Sequence, residues 1–216
     1  LGLNPHVIIQ PNSYQIDEKY ISRIKKDFKD INISKSYSGE AIVISNDKAK
    51  GIILKGIDKN EKNMINFFDN FSSQGNLNYF DSNKVFIGSE LAFNFNLKIG
   101  DTINLMTSSF VGTPLGNMPK QENFKVGGIF NTGFIEFDQN IIFANIDDVL
   151  SIFDKESKDQ NVEIYLEDPL KANFYKDKIQ KLNENYFIYT WSDLNKSLFS
   201  ALKVERNVMF IILSLI

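Results

Sequence analysis

Apolar residues recur along this chain with two periods. The run "HVIIQP" at residues 6–11 predicts a short strand. Tyr20, Ile21, Ile24 and Phe28 then return every three or four residues, which places them on one stripe of a helix over residues 17–29. "SGEAIVIS" and "KGIILKGI" predict strands, "EKNMINFFDNF" a short helix, and "KVFIGSELAFNF" a strand running into a helical turn. "LKIGDTINLMT" reads as a Gly-Asp turn feeding a strand. "FKVGGIF" and "QNIIFANI" read as strands joined by the connection "NTGFIEFDQ". "DDVLSIF" predicts a brief helix with acids in its first turn, where the helix dipole favours them. Towards the end, "VEIYLEDP" is a strand leading into a helix with Asp168 as its cap and Pro169 at its first position; Leu170, Phe174, Ile179 and Leu182 are expected to line that helix's inner face. "YFIYTW" is a further strand, after which Ser192 is expected to cap a final helix. Each flank is thus strand–helix–strand and the middle is mostly strand. The fold class expected is α+β, with the flanks packed as one lobe and a β-rich lobe inserted between them.

One stretch breaks the pattern. Residues 108–123 separate "TINLMT" from "FKVGGIF", whereas hairpins usually turn in about two to five residues. Its centre, "GTPLGNMPKQ", carries Pro114 and Pro119, which fix their own φ and push Thr113 and Met118 towards extended conformations. Gly116-Asn117 is a hairpin-turn dipeptide, so two stiff arms with the reversal at that pair are expected. Leu115 and Met118 flank the reversal, with no charge before Lys120. A pre-ordered apolar tip loses little entropy on binding, which suits a docking element, while the residues taken alone favour the reading of an ordinary surface loop.

Composition removes several function classes. The 216 residues carry a net charge of −3 with no dominant basic face, which argues against nucleic acid. There is no cysteine, so no disulfide or thiolate metal site exists. The single histidine, His6, stands in a strand-like segment and reads as structural, and no metal or cofactor site is expected. Phosphate-cradling GxxxxGK[ST] and GxGxxG patterns and the GxSxG nucleophile motif do not occur. Asp147 and Asp148 are explained by helix-start electrostatics, and Trp191 by packing at a helix entry. No catalytic residue is expected. The terminal run "VMFIILSLI" reads as the first turns of a transmembrane helix.

Three segments, "IGSELAFNFNLKIGDTINLMT", "TPLGNMPKQENFKVGGIFNTGFIEFD" and "WSDLNKSLFSALKVERNVMFIILSLI", resemble the LolC/LolE family, the permease subunits of the lipoprotein-releasing ABC transporter of Gram-negative bacteria. The resemblance runs over nearly the whole chain and is carried by the TPxGxxP loop, the IGxELA segment and the LFxALKxE approach to the last helix. It implies a MacB-type periplasmic domain: a Porter-like α/β lobe from residues 1–50 and 160–200, an inserted Sabre-like β-rich lobe over 51–159, and the start of a transmembrane helix at 201–216. It implies an inner-membrane protein with this domain in the periplasm. A hook at 112–119 would recruit the periplasmic lipoprotein chaperone LolA through Thr113, Pro114, Leu115, Gly116, Asn117, Met118 and Pro119, with Lys120 and Gln121 on the adjoining surface. Further implied partners are a second permease subunit (identical or LolE-like), a cytoplasmic LolD-like ATPase that hydrolyses ATP in place of this chain, and the lipoprotein substrates. Basic residues common after the second proline are here Lys120 and then Glu122. Two alternatives share the architecture: a MacB-type efflux permease contacting a periplasmic adaptor, and an FtsX-type regulator of a cell-wall hydrolase. Neither is expected to carry the TPxGxxP loop.

Overall fold

The computed structural model describes residues 4–12, 15–58, 60–75, 80–114, 116–183 and 185–214. In chain order the elements are β1 (Val7–Gln10), α1 (Glu18–Asp27), β2 (Ile31–Ser45), β3 (Lys48–Ile57), α2 (Lys62–Phe71), β4 (Ser72–Gly75), β5 (Lys84–Gly88), α3 (Ser89–Phe95), β6 (Thr102–Thr113), β7 (Gly116–Phe130), α4 (Ile135–Asn140), β8 (Ile141–Asn145), α5 (Ile146–Ile152), β9 (Asn161–Leu166), α6 (Ala172–Gln180), β10 (Phe187–Thr190), α7 (Trp191–Leu194) and α8 (Lys196–Ser214).

The two flanks meet in one antiparallel sheet ordered β10-β1-β9-β2, the order of a split βαβ pair. The amphipathic stripe of α1 buries Tyr20, Ile21 and Ile24 against Val7, Ile9, Val162, Ile164, Ile179 and Ile188. Helix α1 starts where the Asp17 carboxylate accepts from the Lys19 N–H at 2.9 Å, satisfying one of the orphan donors of its first turn. The Tyr20 and Tyr186 rings pack at 5.0 Å, and the Tyr20 hydroxyl donates to the Ile179 carbonyl, tying one flank to the other.

The middle of the chain closes on itself. Strand β2 pairs β3, β3 pairs β8, β8 pairs β5, β5 pairs β7, β7 pairs β6, and β6 returns to β2 through Ala41–Ile44 against Asn104–Thr107. Each of these six strands sends two alternate side chains into a shared core: Ala41 and Val43, Ile52 and Leu54, Ile142 and Ala144, Val85 and Ile87, Phe124 and Val126, Ile103 and Leu105. The period-2 alternation of a closed barrel accounts for this set, and closure removes exposed edges. Outward-facing Phe86, Phe130 and Phe143 are covered by Phe67 and Phe68 of α2 and by Phe80, in a second cluster of edge-to-face rings. Strand β2 belongs to both parts: Ile31–Ser36 pairs β9 and Ala41–Ile44 pairs β6. Residue 50, where the sequence reading divides the chain, therefore falls inside the β2–β3 hairpin, while residue 160 directly precedes β9.

Several local expectations are corrected. Strand β2 starts at Ile31 and not at residue 38, because pairing with β9 recruits its polar first half. The connection "NTGFIEFDQ" contains helix α4, whose buried Asp138 carboxylate accepts from the Thr132 N–H and hydroxyl. Leu170 and Phe174 are exposed. A 3-10 turn at Pro169–Lys171 shifts the phase of the following helix, so Ala172 and Ile179 take its inner face. The cap before the last helices is Thr190, not Ser192: its hydroxyl accepts from the Asp193 N–H while the Asp193 carboxylate accepts from the Thr190 N–H. Hydrogen bonding from Lys176 and from Thr190 holds the Asp193 carboxyl down at about 2. The folded pKa lies below the unfolded one. The cap's contribution is therefore full above the ordinary carboxylate pKa of about 3.9 and lost as the pH falls through about 2. An acid titration of Asp193→Asn should accordingly show a shallower loss of stability below pH 4 than the native chain; equal slopes would deny the cap this role.

Candidate functional site: an apolar arm beyond the barrel

Residues 108–113 and 116–123 are strand, not loop. Strands β6 and β7 pair almost to the tip, through Phe110–Pro119, Val111–Met118, Gly112–Asn117 and Thr113–Gly116. Strand β6 ends at Thr113 and β7 begins at Gly116, so the expected turn pair Gly116-Asn117 lies in β7, opposite Thr113 and Gly112; Leu115 lies outside the described residues. Gly116 opens β7 with φ of +117°, a conformation that disfavours residues with a side chain, and Thr113 closes the tip by donating its hydroxyl to the Gly116 carbonyl at 2.7 Å. Pro119 lacks an N–H yet sits in a strand, which is tolerated because the arm is two strands wide and its sides are edges.

The arm is apolar and exposed. Phe110 is 64% exposed, Val111 46% and Met118 51%. Directly opposed residues share a face, so Phe110 and Pro119 point one way, and Val111 and Met118 the other. Exposure of clustered large apolar side chains on both faces is unusual for a surface that meets only water. The Phe110–Pro119 face continues into a groove of about 610 Å³ on the outer wall of β2, β3 and β6, lined among others by Ile42, Ile53 and Met106.

At its foot the arm bends. Between the pairs Met106–Gln121 and Phe110–Pro119, β6 holds Thr107, Ser108 and Ser109 where β7 holds only Lys120. This bulge is tied to the C-terminal end of α5. The Thr107 hydroxyl donates to the Ile152 carbonyl at 3.0 Å, the Ser109 hydroxyl to Phe153 at 2.7 Å, and the Lys120 ammonium to Ser151 at 2.6 Å. The remaining carbonyls of that helix end are closed by its own turn, in which Asp154 takes φ of +55° and the Lys155 N–H reaches the Leu150 carbonyl. Lys120, expected on an open surface next to the hook, is therefore turned onto α5, with Glu122 at 3.7 Å. Gln121 stays exposed, its amide 3.4 Å from the Met106 sulfur at the groove's rim.

Of the expected hook residues, Thr113, Pro114, Gly116, Asn117, Met118 and Pro119 all lie on this arm. Sequence reasoning missed Phe110 and Val111, because both sides of the arm are exposed and no in–out alternation marks it as strand. It also missed Thr107 and Ser109, whose role depends on a helix that follows some forty residues later.

Elsewhere, His6 accepts the Leu166 N–H on Nδ1, and burial lowers its pKa. Asp148 accepts from the Ser82 hydroxyl and the Asn83 N–H. The Trp191 indole donates to the Pro169 carbonyl and meets Phe199 edge-on. Among the described residues no cluster of potential metal ligands occurs. No helix among them is long and apolar enough to cross a membrane. Helix α8 is exposed along its described length and carries Lys203, Glu205 and Arg206 before its apolar end.

No family model matches the chain. Individual relatives do. It is 26% identical over 183 residues to the lipoprotein-releasing system transmembrane protein LolC of Xylella fastidiosa, covering 83% of this chain and 44% of the relative. It is 30% identical over 224 residues to the protein of the same name from Buchnera aphidicola, covering 100% of this chain and 54% of the relative. The chain thus spans about half the length of the curated relatives it matches. Among solved structures, the periplasmic region of MacB from Actinobacillus actinomycetemcomitans superposes with a TM-score of 0.54 at 14% identity, covering 92% of this chain and 94% of that one. That likeness shows the fold alone.

Proposed function

We propose, from the premise that this chain is a LolC/LolE-family domain with the MacB-type periplasmic fold, that it serves a lipoprotein-releasing ABC permease by receiving the soluble chaperone LolA on the β6–β7 arm. The observation that carries the reading is the arm itself: a paired, stiff hairpin beyond the barrel that offers Phe110, Val111 and Met118 to solvent. An interface gains most from a few large anchors held in place beforehand, and the arm supplies them without an ordering cost. In this reading the flanking sheet is the Porter-like lobe and the barrel the Sabre-like lobe. Helix α8 leads towards the inner membrane, and the domain stands in the periplasm. The chain does not hydrolyse ATP; a LolD-like subunit does so on the cytoplasmic side, and a second permease, identical or LolE-like, completes the transporter. The released lipoproteins pass to LolA.

The test is binding of purified LolA by calorimetry. Met118→Asp, which places a charge among the anchors, should weaken binding by about tenfold or more. Deleting residues 113–119 should abolish it, with the melting temperature shifted by no more than a few degrees, because these residues lie beyond the barrel's closing seam. Unchanged affinity in the folded variants would exclude the arm as the docking element.

A further inference from the structure

The arm leaves the barrel at a bulge, and a bulge re-aims the strand beyond it. Two extra residues of β6 bow out here, and they do not bow into solvent. Thr107 and Ser109 on β6 and Lys120 on β7 each place a donor on one of three successive carbonyls, Ile152, Phe153 and Ser151. The platform they grip is itself fixed. The Phe153 ring lies so close over Gly39 of β2 that a Cβ there would stand 2.5 Å from it, and it packs against Tyr37 at 5.5 Å. A Cβ on Gly56 of β3 would likewise stand 2.7 Å from Val149. Thr107 is also the strand partner of Ala41 at the barrel's seam. An isolated two-stranded ribbon is marginal in water and twists freely, so an arm without this attachment would hold no defined angle.

We propose that Thr107, Ser109 and Lys120 are positioning residues: by clamping the bulge to the C-terminal end of α5 they fix the angle at which the arm is presented, without touching the partner themselves. The cationic end of Lys120 suits the negative end of the helix dipole, so one side chain both caps α5 and braces the arm. This inference rests on the reading of the arm as the chaperone's docking element. Its first measurement, though, needs no partner.

The chain has no native cysteine, so Lys98→Cys and Asn117→Cys place a spin-label pair between the barrel frame and the arm. In the 216-residue chain the distance distribution should be narrow. Lys120→Met keeps the stem but removes the donor, and should broaden the distribution; Ser109→Ala added to it should broaden it further; Lys120→Arg should restore it. LolA affinity of the same variants, without labels, should fall about tenfold for the pair and recover with arginine, the loss of a pre-organised geometry. If Thr107→Val, at the buried bond, prevents folding, the variants at the half-buried Lys120 and Ser109 still decide the matter. A narrow distribution in Lys120→Met with weak binding would overturn the proposal, because Lys120 would then contact the partner directly. A broad distribution with unchanged binding would overturn it too, because the arm's angle would not matter. If Met118→Asp leaves binding intact while Lys120→Met broadens the distribution, the docking reading fails and the clamp stands as a purely structural device.

Discussion

Gly88→Ala should destabilise the protein by about 4 kcal/mol or more, at the exceptional end for a single substitution. Gly88 ends β5 where α4 crosses it, and a Cβ there would lie 1.9 Å from the Asp138 carbonyl oxygen and 2.5 Å from the Asp138 Cα. Both contacts are with backbone, so no side-chain rotation relieves them. Neither can α4 retreat easily, since the buried Asp138 carboxylate is held by both the N–H and the hydroxyl of Thr132. A loss of that size in a chain of this length lowers the melting temperature by roughly 8 °C or more. Gly51→Ala is the matched control: an added Cβ meets nothing within 4 Å and the backbone is extended, so the variant should melt within a few degrees of the native protein. If the two variants melt alike, the crossing of β5 and α4 is softer than its geometry implies.

The second large effect is expected where the flanking sheet meets the barrel. Glu163 on β9 is 4% exposed and is held by three donors: the Lys55 ammonium at 2.9 Å, the Ser36 hydroxyl at 2.6 Å and the Tyr165 hydroxyl at 2.6 Å. Burial and the neighbouring carboxylate push the Tyr165 phenol far above its ordinary range, so it remains a donor. Lys55→Met strands a carboxylate in this site, and removing one partner of a buried pair typically costs about 3–5 kcal/mol. The double variant Lys55→Met with Glu163→Leu removes both charges and should recover part of that loss, because a buried pair contributes little beyond a well-packed apolar pair; the remainder is the cost of taking the Glu163 acceptor away from the buried Ser36 and Tyr165 hydroxyls. Denaturant unfolding of both variants and of Glu163→Leu alone measures the coupling. A double variant as unstable as the sum of the single ones would show that the charges act independently.

Sequence patterning reached most of the flanks, since α1 has an unbroken apolar stripe, and β1, β9 and β10 are short apolar runs bounded by turn residues. It failed where tertiary pairing overrode local signal. The polar first half of β2 is strand only because β9 lies beside it. The arm is strand only because its two sides pair with each other, with neither face buried. Ring closure between β2 and β6 has no local signature, because it joins residues sixty or more positions apart. For the candidate site, the prolines and Gly116 were readable as stiffness and reversal, although Gly116 and Asn117 lie in β7 and not at the turn itself. Lys120 could not be placed, because its partner is a carbonyl at the end of α5.

The arm also has the properties of a ruler. Its paired strands extend past the bulge without entering the barrel's core, so its length is set independently of the rest of the fold. Adding two residues to each strand would carry the tip outward by about 7 Å, at some 3.4 Å per residue, and leave Phe110 and Met118 on their present faces. Adding one to each would carry it half as far and turn every distal side chain to the opposite side. Reach thus grows in discrete steps, and facing is kept only at every second one. A lineage could change the depth at which this element enters a partner in such double steps, while the barrel that carries it remains as it is.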